Sequence, residues 1–296
     1  MSTAIKSIDK YRFNTFIEAD SNETIEITGD IMSHVEYDIQ GNLIVSITYD
    51  TSGEIAEHIK YSYNEQNKMI EELLYDTDEV VEKRQFEYND EGLIEKEKIF
   101  YQDDTFDTIF YSYNTENILI EKKLVNTDDE IESYHTFQYQ NQNIENEGEY
   151  DSENNLILEK SYSYNSNGYL IKLITFDAFE DERIEIAYEY DEKGNKIKIL
   201  KYDKKGKLTE RSSYKYDDNN QIISLVEDST LLSTTYTFEY NENGKLSSQK
   251  EIGENEEVIA TITYSYYENM LIETQSEGEG YSHNYIIKNE IVYYED

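Results

Sequence analysis

The sequence predicts an all-β protein, a continuous antiparallel meander of short strands, and three observations carry that prediction. Tyrosine recurs at a near-constant interval, a polar turn recipe follows it each time, and the segments between turns have strand length and strand alternation. Tyr37, Tyr63, Tyr88, Tyr113, Tyr139, Tyr164, Tyr190, Tyr216, Tyr240 and Tyr266 are spaced 24 to 26 residues apart, ten copies in register. Each is followed by a turn with a nearly fixed recipe: Asp or Asn, two polar residues, Gly or Asn, a variable residue, then Leu or Ile. Tyr190-Asp191-Glu192-Lys193-Gly194 and Tyr240-Asn241-Glu242-Asn243-Gly244 are clear instances.

The recipe has a physical basis. An Asp or Asn side chain can accept from backbone N–H groups two or more residues on, and Gly or Asn tolerates the left-handed backbone that closes a tight hairpin. A second turn falls midway through each unit, as at Tyr49-Asp50-Thr51-Ser52-Gly53 and Tyr202-Asp203-Lys204-Lys205-Gly206, so each unit reads strand, turn, strand, turn. Strands joined by such short turns can only pair antiparallel with their neighbours, which gives roughly 20 to 24 strands of about eight residues.

Nine of the ten tyrosines follow another ring two positions earlier, for example Tyr61 before Tyr63 and Phe86 before Tyr88, so both rings share one strand face. This tyrosine ladder is expected to supply cohesion through cross-strand aromatic pairs. Charge at successive positions in Leu93-Ile94-Glu95-Lys96-Glu97-Lys98-Ile99 suits a largely single-layer sheet wet on both faces. An open sheet of this many strands is expected to curl, so the expected form is coiled or partly closed. The expected organisation is one continuous domain, with end strands at 1–36 and 277–296 covering the edges of an array at 37–276.

The unit [Tyr/Phe]-[Asp/Asn]-x-x-[Gly/Asn]-x-[Leu/Ile] resembles the YD repeats of the bacterial Rhs family, over roughly residues 35–275. In that family such repeats form a coiled β-sheet shell around a toxic C-terminal domain. The resemblance therefore implies a curved β-sheet, here in a short stand-alone form without the toxin domain.

Composition narrows function. With 65 acidic and 26 basic residues the formal charge is −39, which repels phosphate backbones and anionic surfaces, so direct nucleic-acid binding is not expected. The chain has no Cys, so thiolate chemistry and Cys-based zinc sites are excluded. No apolar run approaches a membrane span or a signal-peptide core, and the expectation is a cytoplasmic protein without membrane contact.

His34, His58, His135 and His283 lack metal-ligand spacing or a partner acid at fixed distance. The acidic turn pairs Asp76 with Asp78, Asp103 with Asp104 and Asp128 with Asp129 lack the pattern of a calcium loop. No catalytic, cofactor or metal residues are assigned, and a non-enzyme is expected.

One stretch breaks the acidic pattern. Lys193, Lys196, Lys198, Lys201, Lys204, Lys205, Lys207, Arg211 and Lys215 either neutralise neighbouring acidic strands or mark a self-association patch, and a homo-oligomer is compatible with the latter. The functional expectation is an acidic, tyrosine-rich protein-binding module of inhibitor or immunity type that engages a basic protein. A nucleic-acid mimic blocking a DNA-binding or nuclease complex, and a self-assembling scaffold, are the alternatives.

Overall fold

The computed structural model describes residues 4–17, 24–26, 29–253, 255–267, 270–278 and 284–295; for 15–17 and 24–26 the backbone alone is described. Every described element is a strand, and all of them belong to one 23-stranded sheet. Two units can be told apart, Met1–Gln85 with Thr237–Asp296, and Phe86–Tyr236.

The first unit holds β1 (Ile5–Ile17), β2 (Thr24–Glu26), β3 (Asp30–Tyr37), β4 (Leu43–Tyr49), β5 (Ile55–Tyr63), β6 (Met69–Asp76) and most of β7 (Glu79–Tyr88). The second holds β8 (Ile94–Phe100), β9 (Phe106–Tyr113), β10 (Leu119–Val125), β11 (Ile131–Gln140), β12 (Asn143–Asp151) and β13 (Leu156–Tyr164). It continues with β14 (Leu170–Asp177), β15 (Glu182–Tyr190), β16 (Lys196–Tyr202), β17 (Leu208–Tyr216), β18 (Ile222–Ser229) and half of β19 (Ser233–Tyr240). The first unit then resumes with β20 (Leu246–Ile252), β21 (Val258–Tyr267), β22 (Met270–Gly278) and β23 (Tyr285–Tyr293).

One turn geometry accounts for most of the connections. In the turn after β3, Asp38 N–H donates to Asn42 O and Gly41 N–H to Asp38 O, at 2.8 and 3.0 Å, while Gly41 has φ of 88°. The Asp38 carboxylate accepts from the N–H groups of Gln40 and Asn42. The same bonds recur at 64–68, 114–118, 151–155, 191–195, 203–207 and 217–221, with Asn67, Asn117, Asn154, Gly194, Gly206 and Asn220 in the left-handed position. Only Gly, or Asn and Asp with their short polar side chains, adopt this conformation readily, which is why they occupy the fourth place. At Tyr139 the recipe is not followed: Asn141 and Gln142 are both left-handed, at φ 50° and 67°, and the hairpin closes over two residues.

Among the described residues Ala260 is the one hydrophobic side chain that is buried, so apolar groups are covered by sheet neighbours rather than by a second layer. Neighbouring strands are tied by ion pairs instead: Lys98 to Glu87 at 2.6 Å, Lys172 to Glu185 at 2.9 Å and Lys83 to Glu71 at 3.6 Å.

In the first unit the two ends of the chain meet. β1 is hydrogen-bonded on one side to β3 and on the other to β23, from Ile5 opposite Tyr293 to Asn14 opposite Tyr285. Tyr294 adds N–H donation to Ala4 O at 3.0 Å and hydroxyl donation to Tyr37 O. Arg12 lies over the Tyr285 ring and Lys288 over Phe13, at 4.4 and 4.8 Å.

This seam corrects the expected coiled or partly closed ribbon with covered edges: the terminal strands are ladder neighbours, so the sheet is closed through them. It also corrects the description as a repeat protein in the sense of a linear array, because in such an array each unit contacts only its sequence neighbours. The inhibitor description, argued in part from a large repetitive β-surface, is corrected together with the repeat array.

The expectations of a cytoplasmic location and of no membrane contact are corrected as well. They rested on the absence of an apolar run, and among the described residues no helix is long and apolar enough to cross a membrane. Closed antiparallel sheets are the other backbone arrangement that satisfies its hydrogen bonds within a bilayer, and strands of that kind carry no continuous apolar run. The test therefore had no bearing on a sheet closed end to end.

Candidate functional site

The ten ladder tyrosines all sit at or next to the C-terminal residue of an odd-numbered strand, from Tyr37 in β3 to Tyr266 in β21. Successive ladder rings are thus two strands apart, about 10 Å, too far to stack on each other. Their hydroxyls act locally. Tyr63 donates to Leu43 O, Tyr113 to Ile94 O and Tyr190 to Leu170 O at 2.8 Å, and Tyr216 to Lys196 O at 2.7 Å. In each case the phenol reaches the first or second residue beyond the preceding tyrosine-type turn. Stacked rings occur elsewhere, between Tyr134 and Tyr150, and between Tyr169 and Tyr190, with centroids 5.1 and 5.0 Å apart.

The tyrosine face of the second unit also carries carboxylates held by phenols. Glu97 is 7% exposed and accepts from the Tyr111 hydroxyl at 2.7 Å, and Asp107, equally buried, accepts from Tyr101. Glu147 in β12 accepts from the Tyr162 hydroxyl and lies 3.4 Å from His135 Nε2 and 3.6 Å from Lys160 Nζ. Burial, and then the Glu147 carboxylate, raises the Tyr162 pKa, so this phenol stays protonated and donating. A carboxylate shared by a phenol, an ammonium and an imidazole is satisfied rather than poised. The arrangement holds strands together and leaves no free general base.

Sequence reasoning passed over Glu97 because an acid in a charge-alternating strand looks solvated, and over Asp107 because a lone acid next to a turn does. A tyrosine within the same hairpin, Tyr111 for Glu97 and Tyr101 for Asp107, was the available signal.

The histidines are separate. His34 binds Asp9 and Glu36 in the seam, His58 stacks on Tyr75 at 4.8 Å, His135 belongs to the Glu147 group, and His283 lies outside the described residues. Among the described residues no three His, Cys, Asp or Glu are placed to hold a metal ion. The acidic turn pairs sit in hairpin tips, where Asp103 caps the Thr105 N–H and hydroxyl.

The nine basic residues do not gather on one surface. Lys198 pairs with Glu189 and Lys201 with Glu210, each at 2.7 Å, from opposite faces of β16. Arg211 pairs with Asp228, and Lys196 lies 4.8 Å over the Tyr188 ring. Lys215 stands opposite Ser224 in the β17–β18 ladder. Lys193 lies in the turn after β15, whereas Lys204, Lys205 and Lys207 lie in the turn after β16, at the other end of the strands.

No family model matches this sequence, and no curated protein matches it. Among solved structures it is similar to a porin-like protein from Bacteroides uniformis, at 11% identity over 99% of this chain and 98% of that one, with a TM-score of 0.31. A porin-like protein from Bacteroides vulgatus matches at 10% identity over 81% of this chain and 100% of that one, with a TM-score of 0.23. The Tc holotoxin pore of Photorhabdus luminescens matches at 10% identity over 92% of this chain and 23% of that one, also at 0.23. Likenesses of this size assign no activity to the chain.

Proposed function

We propose that this chain is a non-enzymatic binding module whose acidic surface engages a cationic partner protein. The observation that carries the reading is the charge balance: 65 acids face 26 Lys and Arg, so most carboxylates have no cation to pair with even if every base took one acid. Many of the described bases are already engaged, as Lys98, Lys172, Lys198, Lys201 and Arg211 show, and acids such as Glu95, Asp128, Glu145, Glu153 and Glu159 stand exposed on strands and turns. A surface of one sign speeds encounter with the opposite sign and loses that advantage as salt rises.

The experiment is an affinity capture of the tagged protein from host lysate at low and at high salt, read by mass spectrometry. A basic protein held at low salt and released at high salt supports the reading. Capture of a partner that is not basic, or binding indifferent to salt, overturns it.

A further inference from the structure

Among the described residues, Glu159 in β13 and Arg183 in β15 are opposite charges whose side chains take part in no ion pair and no hydrogen bond, and both are exposed. They lie on one face of the sheet, on either side of Phe176 in β14. Glu159 is the ladder partner of Phe176, and Phe176 is the ladder partner of Arg183. These three residues line a cavity of about 430 Å³, whose other walls are Ser161, Ile174, Asp181 and Lys204. Small-molecule sites typically enclose roughly 300–1,000 Å³.

The other charges around the cavity are already matched. At the hairpin end Lys204 Nζ donates to Asp181 O at 3.2 Å and lies 3.9 Å from its carboxylate. Glu185, two residues beyond Arg183 on the same face, is paired with Lys172 at 2.9 Å. Asp177 and Glu182 are ladder partners, and strand alternation turns both to the opposite face, where Asp177 caps the Phe179 and Glu180 N–H groups. Glu180 stands on the exposed tip and does not line the cavity. What is left over is one carboxylate, one guanidinium and an aromatic ring between them.

This arrangement selects the charge of a ligand. A lone anion would be opposed by Glu159 and by the net charge of −39, and a lone cation by Arg183. A zwitterion meets both groups with the correct sign. Glu159 and Arg183 stand two strands apart, about 10 Å between their backbones. The ammonium and carboxylate carried on one α-carbon, with a charge-assisted hydrogen bond of about 2.8 Å at each end, span that gap once the two side chains lean over the ring.

We propose that this cavity binds a free α-amino acid with an aromatic or large apolar side chain. Arg183 takes the α-carboxylate with its planar fork of donors, and Glu159 accepts from the α-ammonium. Ser161, whose hydroxyl donates to Asn146 Oδ1 at 2.9 Å, keeps an oxygen lone pair as a second acceptor for that ammonium. The ligand's side chain lies against Phe176 and Ile174.

The test is isothermal titration calorimetry of the full chain with L-phenylalanine and with two analogues that each lack one charge, 2-phenylethylamine and 3-phenylpropionate. L-Phenylalanine is expected to bind at one site per chain with a Kd of about 1 mM or below, and each analogue at least about tenfold more weakly. Arg183→Gln should bind L-phenylalanine no better than it binds 2-phenylethylamine, and Glu159→Gln no better than it binds 3-phenylpropionate. Because both charges are exposed and unpaired, circular dichroism and thermal midpoint should match wild type in the two variants.

No saturable binding of L-phenylalanine would overturn the proposal. So would an analogue that binds as tightly as the amino acid, or variants that keep the wild-type preference. Should either variant fail to fold, the three ligands compared on the wild type decide alone. The cationic-partner reading is probed by capture of a protein, so the two fail separately.

Discussion

His34 Nδ1 lies 2.7 Å from Asp9 Oδ1, and the two residues are Cα partners across the ladder that joins β1 to β3. Glu36 approaches the other ring nitrogen at 3.1 Å, so a doubly protonated imidazole can donate to both carboxylates at the seam where the chain's ends meet. Burial alone would lower the His34 pKa, but the hydrogen bonds to Asp9 and Glu36 together outweigh it and the net direction is upward. A raised folded pKa stabilises below the unfolded value and is lost as pH rises through the folded one. The seam should therefore weaken as pH climbs above the ordinary histidine range. Denaturant unfolding of the wild type and of His34→Gln should differ at pH 6 and converge at pH 8.5. A difference that is independent of pH would remove the charged pair from the explanation.

Gly194 and Gly206 share a left-handed backbone, φ 88° and 74°, yet differ in surroundings. A Cβ on Gly206 meets nothing within 4 Å, so Gly206→Ala should cost only the conformational penalty, about 1–2 kcal/mol. On Gly194 a Cβ would sit 2.8 Å from Cζ of Tyr169, whose ring stacks on Tyr190. Gly194→Ala should cost about 1 kcal/mol more than Gly206→Ala. Adding Tyr169→Ala to both should cancel that excess in a double-mutant cycle; equal costs at the two glycines would refute the ring contact.

This contrast shows what was legible in the sequence. The turn from Asp191 to Gly194 could be read directly, since its hydrogen bonds join residues at most four apart and depend on side chains with one strong preference. The seam could not be read that way, because Asp9 meets His34 and Lys10 meets Asn289 through pairings that no turn residue announces. The acids of the tyrosine face were hidden for a related reason: Glu97 is buried by residues of a neighbouring strand, and the charge pattern of its own strand suggests water. Phe179 and Leu231 carry the opposite signal, resembling strand hydrophobes in sequence while standing on hairpin tips in the fold.

Asp151 caps its own turn, accepting from Asn155 through both side chain and backbone and from Glu153 N–H, and these bonds hold its pKa below the usual carboxylate value. A depressed folded pKa contributes stability above the unfolded value that disappears as pH falls through the folded one. Asp50 and Asp103 are lowered by the same kind of bonds, from Ser52 and Thr105, so acid unfolding should draw on many turns at once. Asp151→Asn keeps an acceptor oxygen but removes the titration. It should leave stability at neutral pH nearly unchanged and flatten its decline at low pH, as a pH series of urea midpoints would show. An unchanged slope would mean that the turn carboxylate is not linked to folding.

The tyrosine hydroxyls give a separate test of what the ladder does. Tyr190 and Tyr216 donate to Leu170 O and Lys196 O, and Phe in their place keeps the ring while deleting the donor. If the rings alone supplied cohesion, Tyr190→Phe and Tyr216→Phe would be neutral. With the hydroxyls securing carbonyls beyond the turns, each should lower unfolding free energy by about 0.5–1.5 kcal/mol. The two hydroxyls donate to different carbonyls, although Lys196, the acceptor for Tyr216, is also the ladder partner of Tyr190, so the double variant should lose the sum of the single losses to within about 1 kcal/mol. Equilibrium denaturation of the four proteins decides the matter: neutrality returns the ladder to ring packing, and a loss well beyond additive would make the phenols one coupled network rather than independent ties.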